Sequence, residues 1–164
     1  ARTLSLMESF YKTGMPSDTV LATVNSLISY SADERFSCLD LAAVNLDDGN
    51  ADIVKIGSPA GFLLSQDELK ILEGDSLPMG ALDAVHPATL RVTMHENDFL
   101  LFMSDGITAA FGSSADLCAY LSELRPLNPQ ALAENVLAAA LGRSPKGEAG
   151  DDMTVLAVKL MAAA

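Results

Sequence analysis

Phe99–Met103 is an unbroken run of five large apolar residues. Glu96-Asn97-Asp98 precedes it and Ser104-Asp105-Gly106 follows it. Five residues fall far short of the roughly 20 needed to span a membrane as a helix. Bounded by turn formers, the run reads as a buried strand. Residues 36–46 are apolar on both faces, as a strand between two layers would be. A chain with such strands has to supply packing layers for them.

Candidate layers lie on both sides in sequence. Leu4, Leu6, Met7, Phe10 and Tyr11 predict a helix over residues 3–13, with Gly14 at its C-cap. Pro16 suits a helix start, and Val20, Leu21, Val24, Leu27 and Ile28 keep the helical period over 16–30. Asp47-Asp48-Gly49-Asn50 is a hairpin turn signal, after which residues 51–57 pair back. A second hairpin is expected from 61–64 and 69–73, joined by polar 65–68; 77–80 is a loop and 89–94 a strand. Helices return after Gly112. Ser114 is expected to cap the first, carrying Leu117, Cys118, Leu121 and Leu124. Asn128-Pro129 opens the second, with Leu132, Val136 and Ala140 inward and Gly142 ending it. Residues 143–150 form a loop and 154–160 a last strand. The order predicts an α+β fold, antiparallel sheet packed with helices, and not a βαβ repeat. At 164 residues the chain suits a single domain.

Composition narrows the chemistry. With 22 acidic and 10 basic residues, the net charge of −12 argues against nucleic acid or an anionic membrane as partner. The two histidines, His86 and His95, lie in polar contexts and are expected to be exposed, so zinc sites and histidine triads are poorly supported. Cys38 and Cys118 make no metal or redox spacing. Residues 1–10 lack the basic and apolar regions of a signal peptide. Carboxylates are left as the groups to carry any catalysis.

Two acidic segments stand at strand ends: Ser104-Asp105-Gly106 after the apolar run, and Asp151-Asp152-Met153-Thr154 before the last strand. Taken singly, the first reads as a turn and the second as a solvated loop. Brought together by the fold, they would suit a hard cation such as magnesium or manganese. Asp40, between Leu39 and Leu41, requires a partner, a structural hydrogen bond or a nearby Lys or Arg. Glu34-Arg35 reads as a helix-end ion pair. Gly57-Ser58-Pro59-Ala60-Gly61 lacks the lysine and following helix of a phosphate loop and reads as a turn.

Phe102-Met103-Ser104-Asp105-Gly106-Ile107 and Asp151-Asp152-Met153-Thr154-Val155 resemble the two C-terminal signature motifs of the metal-dependent (type 2C) protein phosphatases. Glu34-Arg35-Phe36-Ser37-Cys38-Leu39-Asp40-Leu41, Lys55-Ile56-Gly57-Ser58-Pro59 and Ser76-Leu77-Pro78-Met79-Gly80 resemble the sporulation stage II protein E branch, in the same order. The resemblance covers nearly the whole chain. It implies a sandwich of two antiparallel sheets flanked by helices. It also implies hydrolysis of phosphoserine or phosphothreonine with two Mn2+ or Mg2+ ions. Asp105 would ligate one metal and Asp151 the other, with Gly106 allowing a tight turn and Asp152 in a supporting role. The implied substrate is a phosphorylated anti-sigma factor antagonist, and the implied location is the cytoplasmic side of a membrane-anchored parent. Residues 1–31 would correspond to the family's regulatory switch helices.

The chain departs from the family in one respect. The early Asp and the Asp-Gly segment that bridges the metals have no counterpart here, since Glu8 and Asp18 are the only acids before position 33 and neither precedes a glycine. The expectation is an N-terminally truncated domain holding part of a metal site, with weak metal binding and little activity alone. Unpaired sheet edges, or the helix pair, would then favour a homodimer. Two other readings stand beside this one: a stress-response phosphatase of the same superfamily, and a non-catalytic binding module.

Overall fold

The computed structural model describes residues 2–30, 36–144 and 150–161. In chain order the elements are α1 (Arg2–Tyr11), α2 (Ser17–Ser29), β1 (Leu39–Val44), β2 (Asn50–Ile56), β3 (Gly61–Leu64), β4 (Leu69–Leu72), β5 (Ala88–Thr93) and β6 (Phe99–Met103). These are followed by α3 (Asp105–Phe111), α4 (Ser114–Glu123), α5 (Pro129–Arg143) and β7 (Val155–Lys159). The strands form two sheets, ordered β1-β2-β5 and β4-β3-β6-β7. The chain divides into two compact units, and the division falls within β1, β2 and β5.

The first unit comprises Ala1–Leu41, Val54–Ser58 and Gly74–Thr89. Its core holds Met7 from α1, Val20, Leu21 and Val24 from α2, Ile56 and Met79. The helix periods predicted from sequence therefore select the buried faces correctly, although Leu4 and Leu27 remain exposed. Asn25, on the same side of α2, is 1% exposed. Its amide donates to the carbonyls of Leu82 (3.0 Å) and Asp83 (3.2 Å) and accepts from the N–H of Gly80 (2.9 Å). One side chain thus satisfies three backbone groups of a loop more than 50 residues away. Lys55 is wholly buried, and its Nζ lies 2.6 Å from Asp40 Oδ1, which also accepts from Ser58 Oγ at 2.6 Å. This is the partner that the position of Asp40 demanded. Ser76 Oγ donates to Lys55 O and accepts from Gly57 N, tying the loop to the end of β2.

The second unit comprises Ala42–Ile53, Pro59–Glu73 and Leu90–Ala164. Its four-stranded sheet is antiparallel throughout, with β3 paired to β4 and β6, and β6 to β7. All five residues of β6 are buried. Phe99, Leu101 and Met103 face a core built with Ile107 and Phe111 of α3, Leu117 and Leu121 of α4, and Leu132, Val136 and Ala140 of α5. Leu100 and Phe102 face the opposite way, toward Ala51, Ile53, Val92 and Met94. This two-sided burial accounts for the unbroken apolar run, because neither parity of β6 reaches solvent. Each large side chain so buried contributes roughly 1.5–3 kcal/mol. The turn at Asp47-Asp48-Gly49-Asn50 forms as predicted. Gly49 adopts φ +71°, and a Cβ there would collide with Met94 O.

Four expectations shift. Residues 36–46 were expected to be covered on both faces, but β1 is an edge strand and its Ala42 and Ala43 are exposed. The α4 cap is Ser113, whose Oγ accepts from Asp116 N, one residue before the predicted Ser114. Helix α5 runs to Arg143, one residue past Gly142. Helix α3 was not foreseen, because Asp105-Gly106 reads as a turn in sequence. The Glu34-Arg35 pair and most of the 143–150 loop lie outside the described residues.

Candidate metal centre

Strand β6 delivers its C-terminal end to the first acidic segment. Ser104 is extended (φ −78°, ψ 163°), and α3 begins at Asp105. The second segment, 151–154, leads into β7, whose Val155 pairs with Met103. The ladder continues one step further. Ser104 N donates to Thr154 O at 3.0 Å. Ser104 Oγ accepts from Thr154 N at 2.9 Å and donates to Asp152 O at 2.8 Å. Met153 packs against the helix-side core and anchors the segment from below. The fold thus brings position 105 beside 151 and 152, which spacing alone could not establish.

Gly106 has a different task from the turn expected of it, because it sits inside α3. A Cβ at this position would lie 2.6 Å from Asp152 O and 3.4 Å from Asp151 O. The missing side chain lets the backbone of the acidic segment lie directly against the helix start. Each carboxylate is steadied locally: Gly106 N donates to Asp105 Oδ1 (3.1 Å) and Asp152 N to Asp151 Oδ1 (2.7 Å). Asp105, Asp151 and Asp152 are all exposed, and among the described residues none of them meets a basic side chain.

Uncompensated carboxylates at the start of α3 and in the segment leading into β7 have the donor chemistry that a hard divalent cation takes. The glycine-shaped gap at Gly106 is consistent with a close-packed site. Among the described residues no group of three or more His, Cys, Asp and Glu is placed to hold a metal ion together. Asp105 and Asp151 are thus two carboxylates of suitable chemistry that do not form such a group among the described residues. Sequence reasoning gave Ser104 no role, although its place before Asp105 was noted; only the cross-segment bonds reveal it. Both histidines are exposed, as expected. No helix among the described residues is long and apolar enough to cross a membrane.

Comparison with known proteins adds identity to this geometry. The family profile described as Stage II sporulation protein E (SpoIIE) matches residues 1–161. A curated relative, Stage II sporulation protein E of Priestia megaterium, is 31% identical over 98% of this chain, which spans 28% of that protein's length. A solved structure of the PP2C phosphatase domain with a fragment of the regulatory domain of SpoIIE from Bacillus subtilis superposes with a TM-score of 0.85. It is 26% identical, covering 96% of this chain and 48% of that one. The phosphatase domain of the same protein, presoaked with Mn, gives a TM-score of 0.71 at 25% identity, covering 100% of this chain and 74% of that one. The chain belongs to the Stage II sporulation protein E family and has the α+β, antiparallel-sheet fold of its PP2C phosphatase domains.

Proposed function

We propose that this chain forms the greater part of a metal-dependent serine/threonine protein phosphatase domain in which Asp105 and Asp151 hold Mn2+ or Mg2+. The observation that carries the reading is the closure of Ser104-Asp105-Gly106 onto residues 151–154 in a member of this family. When bound, a pair of divalent cations supplies Lewis-acid polarisation of a phosphoryl group and a water acidic enough to attack it at neutral pH. The chain's own residues orient that chemistry. Asp105 presents its carboxylate from the start of α3 and Asp151 from the segment leading into β7, Gly106 admits that segment, and the Asp152 carbonyl bonded to Ser104 fixes its path.

Family membership supports a phosphorylated anti-sigma factor antagonist as substrate, with release of a sporulation sigma factor as the outcome. It likewise supports a place on the cytoplasmic side of a membrane-anchored parent. With two of the expected ligands, the chain alone binds Mn2+ weakly and turns over little. Self-association through an open sheet edge or through α1–α2 accompanies this reading. A monomer by light scattering at high concentration counts against it.

The test is a Mn2+-dependent assay on a phosphoserine protein. It compares this chain with a polypeptide extended upstream by the parent's preceding residues. Turnover that arises with the extension and is lost in Asp105→Asn and Asp151→Asn supports the proposal. Turnover unchanged by both substitutions overturns it.

A further inference from the structure

We propose that Ser104 is a positioning residue that makes the two carboxylate segments one unit, and that its hydroxyl sets metal affinity without touching the metal. The inference rests on the metal reading of Asp105 and Asp151 above. It adds a residue to which sequence reasoning assigned no part.

The hydroxyl is committed in both directions. It donates to Asp152 O at 2.8 Å and accepts from Thr154 N at 2.9 Å, while the Ser104 main-chain N–H takes Thr154 O at 3.0 Å. Three bonds therefore converge from one residue on a three-residue stretch directly beside Asp151. The other neighbour of Ser104 is Asp105. A single residue thus adjoins one carboxylate through the chain and constrains the other through hydrogen bonds. Gly106 against Asp152 O and Asp151 O is a further contact between the segments, a close approach rather than a bond. Without the hydroxyl, Thr154 N–H and Asp152 O lose their partner, and residues 151–152 are held less tightly beside Asp105, although the Ser104 N–Thr154 O bond and the packing of Met153 remain. Only a side chain that both donates and accepts at this distance serves, and alanine does neither. Groups that orient ligands from behind typically contribute 10–100-fold to metal affinity.

The test measures Mn2+ affinity by electron paramagnetic resonance of the free ion, together with amide exchange at Thr154 in the metal-free chain. Four proteins are compared: wild type, Ser104→Ala, Ser104→Thr and Asp105→Asn. The expected result is at least about a 10-fold loss of Mn2+ affinity and faster Thr154 exchange in Ser104→Ala. Ser104→Thr, which keeps the hydroxyl, should restore both to within about threefold of wild type. Ser104→Ala affinity equal to wild type overturns the positioning role while leaving the metal reading in place, as does failure of threonine to rescue. Wild-type binding that Asp105→Asn leaves unchanged removes the metal reading itself, and the inference with it.

Discussion

The two units of this chain solve the same problem by different physics. The second unit is organised around a dry strand, β6, whose five side chains alternate between two apolar cores. The first unit has a smaller apolar core and adds polar connections to it: the buried amide of Asn25 and the Lys55–Asp40–Ser58 cluster. Apolar burial is non-directional and tolerates rearrangement, whereas hydrogen bonds at 2.6–3.2 Å specify one partner and one register. The contrast teaches that the helix-bearing unit is held in a defined pose by a few polar contacts. The sheet-and-helix unit resists change through many interchangeable ones. The two carboxylates of the candidate site belong to the second unit, where the directional bonds of Ser104 join their segments on top of the apolar support.

Substitutions can sharpen or break this contrast. The largest effect is expected from Asp40→Ala, which takes the carboxylate away from a wholly buried ammonium. Loss of one partner of a buried pair costs about 3–5 kcal/mol. Chemical denaturation should show it, with faster amide exchange concentrated in the first unit. Replacing both partners, Asp40→Leu with Lys55→Met, should recover most of the loss. A single substitution as mild as a surface change would break the contrast. Next comes Leu101→Ala in β6, fully buried on the helix side, at about 2–5 kcal/mol. Its exchange signature should fall in the second unit. Asn25→Ala follows at about 1–3 kcal/mol, because three backbone groups lose a partner and some regain water. Exchange at the Gly80 amide is the local probe.

The smallest effect concerns the exposed pair Arg91–Asp52 (2.6 Å). The Arg91 guanidinium beside Asp52 holds its carboxyl below the usual carboxylate range. A lowered folded-state pKa stabilises the protein above the unfolded value. That contribution is lost as pH falls through the folded one. Arg91→Gln should therefore narrow the gap between neutral and acidic stability slightly, with no change at the lowest pH. A large change in the acid-unfolding midpoint would mean that surface charge supports the second unit more than its apolar cores do.

Much of this was legible in the sequence, for identifiable reasons. The β6 run, the Asp47-Asp48-Gly49-Asn50 turn and the two N-terminal helices rest on local patterns that tertiary packing reinforced. The need of Asp40 for a partner was legible, but the partner was not named, although Lys55 shares the inward parity of β2 with Ala51 and Ile53. Asn25 likewise lies four residues after buried Leu21 on α2, and that spacing was a usable signal. Helix α3 was hidden because Asp-Gly favours a turn when judged locally. The core contacts of Ile107 and Phe111 override that preference. The meeting of 105 with 151 and 152 depends on β6 and β7 pairing, which no local pattern encodes.

Strand β6 is also a ruler. Its residues are sorted by parity between two cores, and Asp105 stands two positions beyond its last residue. One residue gained or lost would exchange the two sets of side chains and carry Asp105 about 3.3 Å along the strand. Phe99–Met103 can therefore change in composition, one apolar residue for another, much more readily than in length. In this fold an insertion at β6 disturbs both cores and the carboxylate position together, so the spacing from Phe99 to Asp105 is constrained as a single quantity.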